Sequence, residues 1–377
     1  MVYLDNAATS KFKPPSVVRA VVNEIKDSAN PGRGAHADSI RAAAAVMSAR
    51  DAVRAVVGHE KAEVVFTKNC TEAINLAVFG TLKEGGHVIA ATNAHNSVLR
   101  PLHEAERAGQ ISLTVVEPKK GGATAEDIER ALRPDTYLVC INHVSNVTGT
   151  EADIEAIGAL AARQGFLFLA DCAQSLGHIP VNMKKCGVDM LASAGHKGLH
   201  GPQGTGFLAF RPMLALRPLL FGGTGTESDS VYQPATPPEA FESGTVNTPG
   251  ICGLREGIIW TLRHQTEIRE KIKTLSSELI GGLSELKNVA VYTSPSDLNG
   301  VVTFNIDGFT SSEVGDILNE RYGVAVRTGL HCAPLVHKTL GTLKNGAVRA
   351  GIGCDNTSAD IKKLLAAVKE IPSLAVF

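Results

Sequence analysis

Residues 138–171 have the sequence LVCINHVSNVTGTEADIEAIGALAARQGFLFLAD, in which two short apolar runs flank one helical pattern. Leu138–Ile141 and Phe166–Ala170 have the length and apolar character of strands that are buried on both faces of a parallel sheet. Ala152–Gln164 has the spacing of an amphipathic helix, and a right-handed crossover places such a helix on one face of the sheet. The stretch therefore predicts an α/β fold.

The same alternation continues on both sides of this stretch. Val88–Ala91 and Met190–Ala192 are further short apolar runs that predict strands. Ser39–Val57 and Thr71–Phe79 have helical spacing. We therefore predict a large domain over residues 15–250, with a mostly parallel sheet flanked by helices.

The composition changes at residues 222–250, which are rich in Gly, Pro, Ser and Thr and predict a loop. Beyond this loop the chain again alternates between helical patterns and strand-like runs. These elements are Ile251–Leu286, Val301–Ile306, Val324–Val326 and a terminal helix at Ser358–Ile371. We predict a smaller α+β domain formed by residues 1–14 and 251–377.

The composition is that of a globular protein with almost no net charge. Of the 377 residues, 44% are hydrophobic and 20% are charged, and the formal net charge is −1. No general field would therefore attract nucleic acid or an anionic membrane, and we expect neither as a partner. No apolar run approaches the roughly 18 residues of a membrane helix, and the first residues, MVYLDNAATS, lack the pattern of a signal peptide. We expect a soluble protein.

Seven scattered cysteines, never spaced C-x-x-C, argue against a disulfide framework or a zinc ribbon and indicate a reducing, cytoplasmic location. Cys332 differs from the others because it lies in RTGLHCAP, residues 327–334, beside His331 and close to Arg327. A basic, exposed loop favours the thiolate form, so Cys332 is a candidate nucleophile. The other six are expected to be small buried hydrophobes.

Polar residues follow each of the four predicted strands of the large domain. These groups are Asn93–His95, Asn142–Asn146, Asp171–Gln174 and Ser193–Lys197. Each group alone is typical of a turn or a helix cap. Ligands of open parallel sheets bind beyond the carboxyl ends of the strands, so the four groups together predict a binding site at that edge.

Lys197 and Asp171 indicate which ligand this site takes. Lys197 lies in SAGHKGLHGPQGTG, whose small residues let a bulky group approach, so the lysine could form a Schiff base; the alternative is a surface lysine on a Gly-rich loop. Asp171 ends an apolar strand, where its carboxylate needs a cationic or N–H partner. A lysine for an aldehyde and an aspartate for a pyridinium nitrogen are what proteins use to hold pyridoxal 5′-phosphate (PLP).

The phosphate of such a cofactor needs donors of its own. Thr71, at the start of a predicted helix, offers a hydroxyl and backbone N–H groups, and Ser193 and His196 add further donors. Thr71 is alternatively an N-cap, and both interpretations can hold together. His196 and His200 have the i, i+4 spacing of a helical metal site, but the Gly and Pro residues around them argue against a helix, so we predict no metal.

Seven motifs occur in order along the chain: YLDNAAT (3–9), CTEAINL (70–76), VSNVTGT (144–150), DCAQ (171–174), SAGHKG (193–198), FESGTVNTPG (241–250) and RTGLHCAP (327–334). Through them the sequence resembles the cysteine desulfurase and selenocysteine lyase family. These are PLP-dependent enzymes of the class V aminotransferase, or fold-type I, architecture. The RTGLHC form is similar to the group II desulfurases, in which the nucleophilic cysteine lies on a short loop.

The resemblance implies a role for each candidate residue. Lys197 would form the Schiff base with PLP, and His95 would stack on the ring. Asp171 would bind the pyridine nitrogen and Gln174 the ring hydroxyl. The residues implied for the phosphate are Thr71, Ser193 and His196, the backbone of Cys70, which stands where many relatives have Thr or Ser, and Thr245 from the partner subunit of a homodimer. Those implied for the substrate carboxylate are Asn146, Arg349 and Arg327.

The resemblance also implies the reaction. L-Cysteine would be converted to L-alanine with a persulfide on Cys332, whose sulfur passes to an acceptor protein or small thiol, as in iron-sulfur cluster assembly. L-Selenocysteine could take the same route. Two alternatives remain: a class V aminotransferase acting on small amino and keto acids, and a sulfur-carrier or assembly protein that retains PLP for stability.

Overall fold

A seven-stranded and a four-stranded β-sheet organise the computed structural model, which describes residues 1–32, 34–119 and 121–374. The strands, in chain order, are β1 (Val2–Tyr3), β2 (Glu63–Thr67), β3 (Gly86–Ala91), β4 (Ile111–Val116), β5 (Thr136–Asn142), β6 (Leu167–Asp171), β7 (Met190–Ala194), β8 (Gly206–Phe210), β9 (Val289–Val291), β10 (Val301–Ile306), β11 (Val324–Ala325), β12 (Arg327–Gly329) and β13 (Ala347–Gly351). The helices are α1 (Pro15–Lys26), α2 (Ala37–Val56), α3 (Cys70–Gly80), α4 (Asn96–Arg107), α5 (Ala125–Glu129), α6 (Ile154–Gln164), α7 (Thr248–Ser284), α8 (Ser311–Tyr322), α9 (Pro334–Thr339) and α10 (Ser358–Glu370), with a 3₁₀ turn at Ile371–Leu374.

The large sheet has the strand order β2-β8-β7-β6-β5-β3-β4. The five strands from β7 to β4 are parallel to one another, and only β8 runs against its neighbours. The prediction of an α/β fold with a mostly parallel sheet is confirmed. The four predicted strands are β3, β5, β6 and β7, which lie next to one another; β2, β4 and β8 were not predicted.

Alternate residues of the central strands pack against helices on opposite faces of the large sheet. Val139 of β5 and Phe168 of β6 belong to an apolar core with α2, α6 and the start of α7. Leu138 and Leu169, one position away, belong to a second core with α3 and α4. Because successive side chains of a strand point to opposite faces, residues 138–142 of β5 and 168–171 of β6 are all buried, on one face or the other.

The four-stranded sheet has the order β12-β13-β10-β9 and is antiparallel throughout. The end of α7, α8 and α10 cover it, and β1 pairs in parallel with β11. The strand predicted at Val301–Ile306 is β10, and the run predicted at Val324–Val326 forms β11 over Val324–Ala325, before β12 begins at Arg327. Helix α7 joins both parts of the molecule, since Leu254 packs in the core of the large sheet and Leu279 in that of the small sheet.

The predicted loop forms neither helix nor strand over residues 222–246, all of which the structure describes. Glu242 anchors it. Its carboxylate accepts hydrogen bonds from both guanidinium nitrogens of Arg50, at 2.8 and 2.5 Å, and one from the backbone N–H of Phe66 at 2.7 Å. The loop is thereby tied to α2 and β2 while its polar residues stay at the surface.

Candidate active site

A cavity of about 170 Å³ lies at the carboxyl edge of the large sheet, on the face covered by α3 and α4. Asp171 ends β6 and lines it, and Lys197 follows β7 and lines it as well. His95, the N-cap of α4, and Gln174 complete this part of the wall. The structure therefore brings together four residues that the sequence placed after three different strands.

Asp171 presents one oxygen to protein donors and the other to the cavity. Its Oδ1 accepts a hydrogen bond from the backbone N–H of Ala173 at 3.0 Å and one from the thiol of Cys70 at 3.5 Å. Its Oδ2 has no hydrogen-bond partner among the described residues. A carboxylate oxygen without a protein donor in this position suits a cationic N–H, such as that of a pyridinium ring.

Cys70 contributes its side chain in a way that the sequence did not indicate. It is the first residue of α3, and its thiol contacts Asp171. Burial raises the pKa of the Cys70 thiol well above its usual value, and the negative charge of Asp171 raises it further. The thiol therefore stays protonated and donates to the carboxylate.

The surroundings of Lys197 favour the neutral form of its side-chain amine. Burial lowers the pKa of Lys197, although the negative charge of Asp171 opposes this shift. Within the described part of the chain, Nζ makes no hydrogen bond and no ion pair. The preceding carbonyl, that of His196, is held by the backbone N–H of Ser10 at 3.0 Å and by the side chain of Lys13 at 3.1 Å. The lysine is thus available as a nucleophile on a fixed loop.

His95 presents a neutral imidazole to the cavity. Its Nδ1 accepts a hydrogen bond from the backbone N–H of Ser97 at 3.0 Å, which caps α4. Burial lowers the pKa of His95 to about 4. Because Nδ1 is an acceptor, the single proton of the neutral ring is on Nε2. An uncharged, flat ring here can stack on an aromatic ligand.

The start of α3 offers donors for an anion. Thr71 is its second residue, and the backbone N–H groups of Cys70 and Thr71 have no acceptor among the described residues. The N-cap is Asn69, whose Oδ1 accepts from the N–H of Glu72 at 2.9 Å, so the alternative interpretation of Thr71 as the cap is wrong. Nδ1 of His196 is buried without a partner and lines the same cavity. These groups fit a phosphate.

Ser193 does not reach the cavity, contrary to its expected role at the phosphate. Its hydroxyl is buried and donates to the carbonyl oxygen of Cys172 at 3.5 Å. On β7 it lies on the same face as Leu191, which packs with α2 and α6, whereas Ala194 faces the cavity. Because side chains alternate between the two faces along a strand, Ser193 and Ala194 lie on opposite faces of the sheet.

Arg349 and Asn146 are joined beside the cavity. Nη1 of Arg349 donates to the carbonyl oxygen of Asn146 at 2.9 Å, and Nη2 pairs with Asp5 at 3.2 Å. The Nε atom is buried without a partner among the described residues, and burial lowers the pKa of Arg349 to about 10. Arg327 lies directly opposite Arg349 on the neighbouring strand. Among the described residues only Asp5 forms an ion pair with either arginine, so the two neighbouring cations are suited to a further anion.

Cys332 is exposed on a short loop at this site. The backbone of Cys332 and of the preceding His331 is left-handed, with φ of 57° and 47°. Two hydrogen bonds hold consecutive carbonyl groups of the loop: the N–H of Asn96 donates to the carbonyl oxygen of Cys332 at 2.7 Å, and the side chain of Asn146 donates to that of His331 at 2.6 Å. The thiol is therefore held next to α4 and the cavity while remaining open to solvent.

Of the two remaining candidate residues, Gln174 lines the cavity and Thr245 does not. The side-chain amide of Gln174 donates to the carbonyl oxygen of Ala7 at 2.9 Å, and the residue lines the cavity. Thr245 is exposed and lines a separate hollow of about 850 Å³ between α2 and the Glu242 loop, which shares no lining residue with the cavity. Within one chain, Thr245 is not part of the site.

Two residues that the sequence analysis gave no role belong to the site. Asn142 ends β5 beside Asp171 and lines the cavity, and Asp5 pairs with Arg349. Asn142 was recognisable as the polar end of a predicted strand. Asp5 was part of the YLDNAAT motif, but its partner is 344 residues away in the sequence.

The fold and this set of residues define a PLP-dependent enzyme of fold-type I. The family model for class-V aminotransferases matches residues 2–364. The probable cysteine desulfurase of Methanothermobacter thermautotrophicus is 36% identical, over 99% of this chain and 95% of that protein. The chain belongs to the class-V aminotransferase family and, within it, to the cysteine desulfurases.

Solved structures agree with this assignment. The apo structure of the cysteine desulfurase of Thermococcus onnurineus has a TM-score of 0.92 and 34% identity, covering 98% of this chain and 94% of that one. The cysteine desulfurase CsdA of Escherichia coli, in an S-sulfonic acid form, has a TM-score of 0.87 and 26% identity, covering 99% and 95%. The resemblance predicted from the seven motifs is confirmed.

Two further observations bear on other classes of site. No group of three or more His, Cys, Asp or Glu side chains in residues 1–32, 34–119 and 121–374 is arranged to hold a metal ion. Among the same residues, no helix has the length and apolar character needed to span a membrane.

Proposed function

We propose that the protein is a PLP-dependent cysteine desulfurase that converts L-cysteine to L-alanine and leaves the sulfur as a persulfide on Cys332. The observation that carries the proposal is the position of the Cys332 loop. Hydrogen bonds from Asn96, which follows His95, and from Asn146 hold this loop beside the cavity that contains Lys197 and Asp171. The candidate nucleophile and the candidate cofactor site are thus adjacent.

The residues of the cavity fit PLP. Oδ2 of Asp171 suits the ring nitrogen, Nζ of Lys197 suits the aldehyde, and the neutral ring of His95 suits a stacked partner. The free N–H groups at the start of α3 and Nδ1 of His196 suit the phosphate. When bound, PLP would supply an electron sink that makes the α-proton of the amino acid acidic.

Lys197 has the properties of the base that removes this proton. Burial lowers the pKa of its ammonium, so a larger fraction of Nζ carries a free electron pair near neutral pH. The fixed carbonyl of His196 keeps the lysine beside the cavity, where it can take up the proton and return it to the product.

Arg349 and Arg327 would bind the carboxylate of the substrate. The two guanidinium groups are opposite each other, and the negative charge of Asp5 compensates only one of them. A second carboxylate between them relieves the repulsion and accepts charge-assisted hydrogen bonds. Asn146, which accepts from Arg349 and donates to the carbonyl oxygen of His331, keeps this carboxylate site beside the Cys332 loop.

The atoms and electrons of the sulfur-transfer step balance when Cys332 accepts the sulfur. The Cys332 thiolate attacks the sulfur of the substrate, an S–S bond forms, and the substrate C–S bond breaks. The electron pair of that bond stays on carbon, which takes up a proton and leaves as L-alanine. Overall, L-cysteine and one thiol give L-alanine and one persulfide, without an external oxidant or reductant.

The exposure of Cys332 suits delivery to an acceptor. We propose a sulfur-acceptor protein or a small thiol in the cytoplasm, with iron-sulfur cluster assembly as one use of the sulfur. The same geometry accommodates L-selenocysteine. We also propose a homodimer in which Thr245 of one subunit contacts the cofactor phosphate of the other, because the exposed Thr245 lies outside the cavity of its own chain.

Mass spectrometry after incubation with L-cysteine tests the proposal directly. We expect L-alanine to form and the peptide containing Cys332 to gain the mass of one sulfur atom. The Cys332→Ser variant is the matched control and should gain none. Pyridoxamine phosphate and 3-mercaptopyruvate, without any persulfide, would instead support an aminotransferase. Retention of PLP without any turnover would support a carrier or assembly protein.

A further inference from the structure

Asn142 is a buried asparagine whose carboxamide has no partner. The residue is only 4% exposed, and neither Nδ2 nor Oδ1 forms a hydrogen bond in the described part of the chain. Burying both ends of an amide without partners is unfavourable, and native proteins rarely keep such a group without a reason. A ligand that supplies the missing bonds would be such a reason.

Asn142 lies on the wall of the cavity beside Asp171. It is the last residue of β5 and pairs in parallel register with Asp171, the last residue of β6. Side chains in register on neighbouring parallel strands point to the same face, at a strand spacing of about 4.8 Å. Both residues line the cavity together with Lys197.

The polar groups next to Asn142 are partly used by the protein itself. Oδ1 of Asp171 is occupied by Ala173 and Cys70, and the amide nitrogen of Gln174 uses one of its two N–H groups for the carbonyl oxygen of Ala7. Oδ2 of Asp171 and both amide atoms of Asn142 stay unsatisfied by the described residues. A matching ligand has a cationic N–H and, on the same edge of its ring, an oxygen that accepts from an amide.

We propose that Asn142 is a cofactor-binding residue whose carboxamide binds the ring hydroxyl oxygen of PLP beside Asp171. This inference rests on the proposed function, since it assumes PLP in the cavity. Donation from Nδ2 favours the ionised form of that oxygen. Asn142 therefore contributes to affinity and lowers the pH at which the absorption spectrum of the bound cofactor changes.

The Asn142→Leu variant separates this role from a structural one. Leucine has a similar size and removes an unsatisfied amide from the apo protein, so the melting temperature of the apo form should rise. The same change should weaken PLP binding about tenfold, as expected for one lost hydrogen bond to a charged group. It should also raise the pH midpoint of the spectral change. A residue with a purely structural role would shift stability and affinity in the same direction.

The measurements are thermal melting of the apo protein, PLP titration followed by protein fluorescence, and absorption spectra across pH. Asn142→Thr, which keeps a donor, should recover part of the affinity. Asn305→Leu is the control, because Asn305 of β10 has an unpartnered buried amide oxygen outside the cavity but donates to Gly346. It should lower the melting temperature and leave PLP affinity unchanged.

These measurements give different results if only the role of Asn142 is wrong and if the proposed function itself is wrong. Wild-type PLP affinity and an unchanged spectral midpoint in Asn142→Leu, with wild-type protein binding PLP, would overturn the role of Asn142 alone. Failure of the wild-type apo protein to bind PLP would overturn both. Weaker binding together with a lower melting temperature of the apo form would also overturn the inference, since it would indicate lost packing.

Discussion

Arg327 of β12 and Arg349 of β13 lie directly opposite each other on neighbouring antiparallel strands. Like charges in this position repel, and among the described residues only Asp5 forms an ion pair with Arg349. We therefore expect the two arginines to bind an anion beside the cavity. The contribution of this pair to binding of the substrate carboxylate can be measured.

Arg349→Leu should lower kcat/KM for L-cysteine by roughly 10- to 100-fold, because a charge-assisted hydrogen bond to the substrate carboxylate is lost. Steady-state formation of L-alanine measures the effect. Arg255→Leu, on α7, removes a partly buried arginine that pairs with the adjacent Glu256, and should leave kcat/KM unchanged. Equal kcat/KM in wild type and Arg349→Leu would contradict carboxylate binding by Arg349.

Cys70→Ala should lower PLP affinity about two- to fivefold, because Asp171 loses a weak donor while keeping the N–H of Ala173. Cys70→Ser retains a donor and should stay close to wild type. Titration of the apo protein with PLP measures both. Cys140→Ala is the matched control, a cysteine in the apolar core that should reduce stability without changing affinity. The same loss of affinity in both alanine variants would argue against the contact.

Cys332→Ala should bind PLP and L-cysteine as the wild type does but form L-alanine more than about a hundredfold more slowly, because the attacking thiolate is gone. Binding is followed by the absorption of the bound cofactor and turnover by alanine assay. L-Selenocysteine should retain some turnover in this variant, since selenium leaves more readily than sulfur. Alanine formation from L-cysteine at the wild-type rate would show that Cys332 is not the nucleophile.

Mixing two weakened variants should restore activity if Thr245 acts across a dimer. In a heterodimer of Lys197→Ala and Thr245→Ala, one site has its own Lys197 and the intact Thr245 of the other subunit. Random exchange of subunits makes half of the dimers heterodimers with one complete site in two, so recovery should approach about a quarter of wild-type activity. A mixture no more active than the mean of its two components would place Thr245 outside the partner's site.

Stability should fall below about pH 6.5. Burial lowers the pKa values of His178 and His200 to about 4, whereas the unfolded chain restores them to about 6.5. Between these values unfolding takes up protons, so the free energy of unfolding decreases by up to about 1.4 kcal/mol per pH unit for each proton. Urea unfolding at pH 7 and pH 5 measures this change. His178→Phe should reduce the slope, and an identical slope in this variant would contradict the assignment.

The sequence predicted the centre of the large sheet because its strands are buried on both faces and therefore form unbroken apolar runs. Strand β4 is only half-buried along most of its length, so its run carries a weaker signal. The site residues at strand ends could be predicted because the carboxyl ends of parallel strands meet at one edge of the sheet, where ligands bind. Ser193 was misplaced because one residue of register decides which face of the sheet a side chain occupies.

Other parts of the site could not be found from sequence patterns. The pairing of Arg349 with Asp5 depends on how the two ends of the chain meet, and neither residue has a local signal for the other. The contact of Cys70 with Asp171 depends on the placement of α3 over the sheet. The unpartnered amide of Asn142 becomes visible only when every neighbouring donor and acceptor has been assigned.

The double attachment of the Cys332 loop limits how far its sulfur can travel. Hydrogen bonds from Asn96 and Asn146 hold the carbonyl groups of two consecutive left-handed residues, Cys332 and His331. A loop fixed in this way is expected to move its sulfur over a short distance only. We therefore expect a sulfur acceptor to bring its own thiol to Cys332 at the surface of the enzyme. Transfer should then favour a small thiol, or a protein whose thiol lies on a narrow projecting segment.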